Sequence, residues 1–180
     1  MQLITGTENE LAERHILSLF SAGTPMFFMG EEIGAQKPYT YNSFMGYRED
    51  ILGERYGNGA KMFQFYQEAI RFSRRHPAVR VQYIDILHVN DDARVIAFRR
   101  ETGSDELLVV ASLNNHSFGS YDIVSDASRL PDGQWCEVFN SDAAAYGGSN
   151  VGNGGGCAYA SNGHVQLCIP ANAFIVLAKV

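Results

Sequence analysis

The sequence predicts an α+β protein in which a helix–strand–helix unit is followed by an antiparallel β-sandwich. Three observations carry this. An unbroken apolar run, Met26 to Met29, lies between two stretches with helical spacing of apolar residues. After Pro77 the spacing changes to period two in short segments. Those segments are separated by clusters of turn-forming residues. The expected division is residues 1–79 and residues 80–180.

The first helix is expected over residues 8–22. "TENE", Thr7 to Glu10, is a capping box, in which the Thr hydroxyl accepts from a backbone N–H and the Glu reaches back. Leu11, Ala12, Ile16, Leu19 and Phe20 then share one face with His15, which reads as a core or rim residue. Gly23 and Pro25 stop the helix. A second helix is expected from Ala60 to Arg75, burying Met62, Phe63, Tyr66, Ala69, Ile70 and Phe72. His76-Pro77 ends it, because proline restricts the residue before it, and the basic run of the last turn suits the negative helix end.

Between them "GTPMFFMGEE", Gly23 to Glu32, places four large apolar residues before a glycine and two carboxylates. A strand apolar on both faces belongs to a covered parallel sheet. One such strand makes no sheet, so the chain is expected to form part of something larger. From Gln82 onward, strands are expected at 82–89, 94–101, 106–113, 134–139, 164–169 and 173–180, with "NDDA", "TGSD", "PDG" and "SNG" as turns.

Charge and composition narrow the function. The formal net charge is −6, and the first 80 residues balance nine basic against nine acidic residues, so the acidic excess belongs to the second half. Nucleic acid and anionic lipid want a basic face and are not expected as partners. The N-terminus lacks a signal-peptide pattern, and no apolar run is long enough to span a membrane, so a soluble protein is expected. Cys136, Cys157 and Cys168 are an odd number without metal-ligand spacing, which predicts reduced thiols, a cytoplasmic setting and no structural metal. The run "YGGSNVGNGGG" does not lie between a strand and a helix, so it is no phosphate loop and reads as a wide turn. Oxygen ligation of calcium by Asn140, Asp142 and Asn150 is the subordinate reading of that region. Trp135, inside a strand, reads as core packing in preference to a sugar platform. No Ser/His/Asp set or nucleophile elbow is present, and no cofactor is expected.

"AGTPMFFMGEEIG", "FYQEAIRFSRRHPAVR", "RVIAFRR", "VFNSDAAAYGGSNVGN" and "IPANAFIVLAKV", in that order, resemble the C-terminal end of an α-amylase superfamily enzyme, in character the 1,4-α-glucan branching enzyme type. The resemblance covers essentially the whole chain. It implies that residues 1–79 are the truncated end of a (β/α)8 catalytic barrel, with Met26 to Met29 as the eighth strand. Residues 80–180 would be the family's all-β C-terminal domain, a Greek-key sandwich. It further implies retaining chemistry on starch or glycogen, by transfer or hydrolysis, with catalytic acids on barrel strands that this chain does not contain. No catalytic residue is therefore assigned.

Barrel loops at strand exits build the active-site face. Glu31, Glu32, Gln36 and Tyr39 are accordingly the candidate substrate-contacting residues. The long connection from Gly34 to Gly59 also holds Tyr41, Phe44, Tyr47 and Tyr56, most of them expected to pack the loop. The implied partners are an α-glucan, the missing barrel portion and, through exposed barrel surfaces, a second copy of the chain. The alternative is a non-enzymatic α-glucan-binding β-sandwich module. The apolar strand and helix faces are expected either to repack onto the β-half or to be covered by that second copy.

Overall fold

The computed structural model describes residues 16–37 and 49–180. The capping box at Thr7 to Glu10, His15, Tyr39, Tyr41, Phe44 and Tyr47 lie outside the described residues.

Among the described residues eight strands form two antiparallel sheets: β1 (Asp85–Asn90), β2 (Val95–Thr102), β3 (Asp105–Ser112), β4 (Phe118–Val124), β5 (Gly133–Asn140), β6 (Cys157–Ala160), β7 (His164–Ile169) and β8 (Phe174–Lys179). The larger sheet has the order β1-β2-β3-β8-β5-β6, and β4 pairs with β7 in the smaller one. Six of the strands coincide with the apolar alternations of the sequence. The two that escape it have physical reasons to do so. β4 is "FGSYDIV", in which Ile123 alone is buried, and β6 is a four-residue edge strand, "CAYA", in which Ala160 alone is buried.

The six-stranded sheet is the middle of three layers. One face carries Val95, Ala97, Leu108, Val110, Trp135, Ile175 and Leu177, which pack against Ile123, Val165, Leu167 and Ile169 of the small sheet. Trp135 is fully buried there, as its strand position predicts, and its Nε1 donates to the Pro131 carbonyl at 3.3 Å. The other face carries Phe98, Leu107, Val109, Phe139, Phe174 and Val176, and meets the helices. A bulge between Glu137 and Phe139 shifts the parity of β5 and sets Phe139 opposite Val176 on the helix side.

Helix α1 is described over residues 16–20, α2 is the single turn Ile51–Glu54, and α3 is Ala60–Arg75. The bounds of α3 agree with the sequence reading. Its buried face is turned slightly: Phe65 is buried, whereas Phe63 and Ile70 are half-buried, and the Arg55 guanidinium lies 4.1 Å over the Phe63 ring. Phe20 of α1 and Phe72 of α3 meet Phe139 with ring centroids 5.5 Å apart in each case. Asp105 then ties the end of α3 to β3, accepting from Ala78 N at 3.0 Å and pairing with His76 Nδ1 at 2.9 Å. The helices have thus packed against the β-half.

The apolar run has not. Residues 26–29 join no sheet ladder, so the expected strand is absent as a paired element. Met26 is 88% exposed and Phe28 67%, while the Phe27 ring lies 5.4 Å from that of Tyr66. Four large apolar side chains in a row have no reason to face water unless something else covers them.

The thiol reading is corrected as well. Cys136 and Cys157 form a disulfide between directly opposed residues of β5 and β6, and Cys168 is free. Sequence spacing did not show this, because the two positions meet only through strand pairing. The expectation of a cytoplasmic setting loses the reduced-thiol argument on which it stood. No helix among the described residues is long and apolar enough to cross a membrane.

Candidate functional site

The two carboxylates leave the apolar segment on a tight turn rather than a strand end. Gly30, at φ 99°, breaks the chain into the 3-10 turn Glu31–Ile33, and the Gly30 N–H donates to Glu32 Oε2 at 2.8 Å. Ile33 is buried against the start of α3. Gly59 makes that approach possible, since a Cβ there would stand 2.5 Å from the Ile33 carbonyl oxygen. The turn therefore sits on α3 at the level of Tyr66.

Tyr66 is only 2% exposed, and its hydroxyl has no hydrogen-bond partner among the described residues. Burial raises its pKa far above the usual phenol value, and the nearby charges of Glu31 and Glu32 push it further the same way. The turn thus brings both candidate acids beside one buried phenol. Being consecutive on a single turn, they do not face each other across a sugar, which is the arrangement a retaining carboxylate pair requires. Gln36 is exposed a few residues on, next to Lys37, whose N–H donates to Glu49 Oε2 at 3.2 Å. Tyr39, the fourth candidate, lies outside the described residues.

Sequence reasoning missed Arg100. It is fully buried, and its guanidinium donates to the carbonyls of Phe20 at 2.8 Å, Val79 at 3.0 Å and Val81. Burial lowers its pKa, and its partners are carbonyl oxygens at the end of α1 and in the connector after α3. A signal was available: Arg100 follows Phe98 at the strand period, on the face that meets the helices.

The glycine-rich region is a built loop, as the wide-turn reading expects. Asp142 accepts from Ser149 N and Val151 N, each at 2.9 Å, and Glu137 accepts from Asn153 N at 2.7 Å and Gly155 N at 3.2 Å. Asn140 Oδ1 accepts from Asp142 N at 2.9 Å. These carboxylates and amides are occupied in holding backbone N–H groups, and the Cys136–Cys157 bond closes the loop at its base. Among the described residues no group of three or more His, Cys, Asp or Glu side chains is placed to hold a metal ion.

Comparison with known proteins agrees with this architecture. The family described as "Alpha amylase, C-terminal all-beta domain" matches residues 86–180. The 1,4-alpha-glucan branching enzyme GlgB 1 of Xanthomonas axonopodis pv. citri is 33% identical over 172 residues, which cover 86% of this chain and 22% of that enzyme. The corresponding enzyme of Bradyrhizobium sp. is 29% identical over 166 residues, with the same coverage of 86% and 22%. The chain thus spans about a fifth of the length of the curated relatives it matches.

Among solved structures, an alpha-amylase from H. orenii superposes with TM-score 0.61 at 23% identity, covering 96% of this chain and 36% of that one. The debranching enzyme from Nostoc punctiforme gives 0.64 at 19%, covering 95% and 30%. At such identities the likeness speaks to the fold. With the sandwich and the matched residues 86–180 in agreement, the chain belongs to the α-amylase family through its C-terminal all-β domain.

Proposed function

We propose that this chain is the C-terminal portion of an α-glucan-active enzyme of the branching-enzyme or α-amylase type, lacking the catalytic acids. Residues 1–79 are the end of its (β/α)8 barrel, and residues 80–180 are the all-β domain. The parent carries out retaining glycosyl transfer or hydrolysis on starch or glycogen, and this chain alone is inactive.

One observation carries the reading. Met26 to Met29 lie exposed and unpaired between helices that are otherwise packed, which is what a barrel strand shows when its neighbours are missing. The superposition of 96% of the chain on an amylase gives independent support. In the assembled enzyme the exit of that segment brings Glu31, Glu32, Gln36 and Tyr39 toward the substrate face. The alternative, a free-standing glucan-binding module, loses its one tryptophan platform because Trp135 is buried.

The test is reconstitution. The chain is mixed with the upstream portion of a GlgB-type branching enzyme, and branching and hydrolysis of amylose are measured for each part and for the mixture. Activity in the mixture alone is the expected result. Turnover by the chain alone overturns the reading. Dye binding to the apolar run, lost on mixing, reports the same docking. Light scattering of the chain alone checks whether a second copy covers the run instead.

A further inference from the structure

The Cys136–Cys157 bond sits on the last rung of the β5–β6 ladder, where the glycine-rich loop enters β6. β6 is an edge of the large sheet, Cys157 is exposed and Cys136 half-buried, so the bond is open to solvent. Disulfides make up for a missing core in small domains. This protein buries an apolar cluster on each face of its large sheet and has no such need. Exposed disulfides are the ones that exchange readily with other thiols.

The loop has fastenings of its own besides the sulfur link. Glu137, the neighbour of Cys136, accepts from the N–H groups of Asn153 and Gly155, and Asp142 accepts from those of Ser149 and Val151. The Asn153 side chain donates to the Cys168 carbonyl at 3.1 Å and accepts from the Cys168 N–H at 3.0 Å, which ties the loop to β7. Breaking the disulfide therefore loosens β6 and the loop locally and leaves the sandwich standing. The start of the loop reaches the helix layer. Tyr146 lies with its ring 5.2 Å from that of Phe65 on α3 and 6.1 Å from that of Phe139. A continuous set of bonds thus runs from the exposed sulfurs through Glu137 and Asp142 to a ring that packs on α3.

We propose that Cys136–Cys157 is a reversible thiol–disulfide exchange site for a dithiol protein, and that its redox state sets how firmly the loop holds Tyr146 against α3. A thiolate of the reductant attacks the exposed Cys157 sulfur, the Cys136–Cys157 bond breaks, and Cys136 leaves as a thiolate that takes up a proton. The second thiolate of the reductant then attacks its own sulfur in the mixed disulfide, and Cys157 leaves and is protonated in turn. Two electrons and two protons pass to the protein, and the dithiol becomes a disulfide. A disulfide oxidant runs both steps in reverse. Neither step involves the residues assigned to the substrate face.

The test treats the full chain, with Cys168→Ala to remove the third thiol, first with reduced thioredoxin and then with oxidised glutathione. Alkylation and mass spectrometry follow the Cys136 and Cys157 thiols, and heteronuclear NMR follows the fold. Both thiols are expected to appear without denaturant and to disappear on oxidation. The reduced spectrum should stay that of a folded protein, with shifts in β6, in residues 141–156 and around Phe65, and with loss of the Overhauser contact between the Tyr146 and Phe65 rings. In Tyr146→Leu, reduction should still shift β6 and leave the signals around Phe65 in place. A bond that resists thioredoxin, or a chain that unfolds on reduction, overturns the exchange site and makes the disulfide a structural staple. Shifts confined to the residues beside Cys136 and Cys157, or an unaltered Phe65 response in Tyr146→Leu, overturn the link to α3.

Discussion

Arg100 and Phe20, eighty residues apart, are joined by a 2.8 Å hydrogen bond from a buried guanidinium to a helix-end carbonyl. Through its further bonds to Val79 and Val81 this one side chain connects the first helix, the connector and the sheet. Arg100→Met preserves much of the packing of the stem while removing every donor. It is expected to lower stability by about 3 kcal/mol in urea unfolding, because buried carbonyls lose their partners. Arg100→Lys, a point donor in place of a fork, recovers only part of the loss.

Phe139 is the meeting point of the helix layer and the sheet. Its ring lies 5.5 Å from those of Phe20 and Phe72 and 5.7 Å from that of Phe174. Phe139→Ala is expected to cost about 4 kcal/mol, as for other large aromatic truncations in a core. Thermal unfolding followed by near-UV circular dichroism measures it. A loss below about 1 kcal/mol means that the helices do not rest on this face.

Tyr66 gives the fold an alkaline limit. Its pKa is raised in the folded protein by burial and by Glu31 and Glu32, so above the ordinary value of 10.0 the unfolded chain releases a proton that the folded chain keeps. The stabilisation is complete below that pH and is lost as pH rises toward the folded value. Stability is expected to fall by up to about 1.4 kcal/mol per pH unit there, and Tyr66→Phe to remove this contribution. At neutral pH the same substitution should change stability by less than about 1 kcal/mol, since the hydroxyl has no hydrogen-bond partner to lose among the described residues. Urea titrations of both proteins at neutral and alkaline pH separate the two effects.

The Cys136–Cys157 bond spans 21 residues of sequence and closes the glycine-rich loop. Loop-closure entropy assigns such a link about 3 kcal/mol, less whatever the β5–β6 ladder already restrains. Reduction, or the Cys136→Ser/Cys157→Ser variant, is expected to lower the melting temperature. Hydrogen exchange should rise first in β6 and the loop, while β5, still paired with β8, keeps its protection.

The long helix was legible because its apolar spacing and its His-Pro stop are local properties, and its ends at Ala60 and Arg75 agree with the structure. The six apolar strands were legible for the same reason. β4 and β6 were not, since a strand with one buried residue and a four-residue edge strand carry almost no period-two signal. Glu31 and Glu32 could be marked as acids leaving an apolar run. Their position beside the Tyr66 hydroxyl depended on Gly30 turning the chain and Gly59 letting the turn approach α3.

By itself the sequence determined which side chains need burial and where the chain must turn, because spacing, glycine and proline act over a few residues. It also marked the run at Met26 to Met29 as built for neighbours on both sides. Only the tertiary structure decided what each apolar face met: helices on one side of the sheet, a two-stranded ribbon on the other, and water at residues 26–29. It likewise decided that Arg100 would face inward onto carbonyls and that two cysteines would pair. Those outcomes join residues far apart in the chain, and burial drives association without naming the partner.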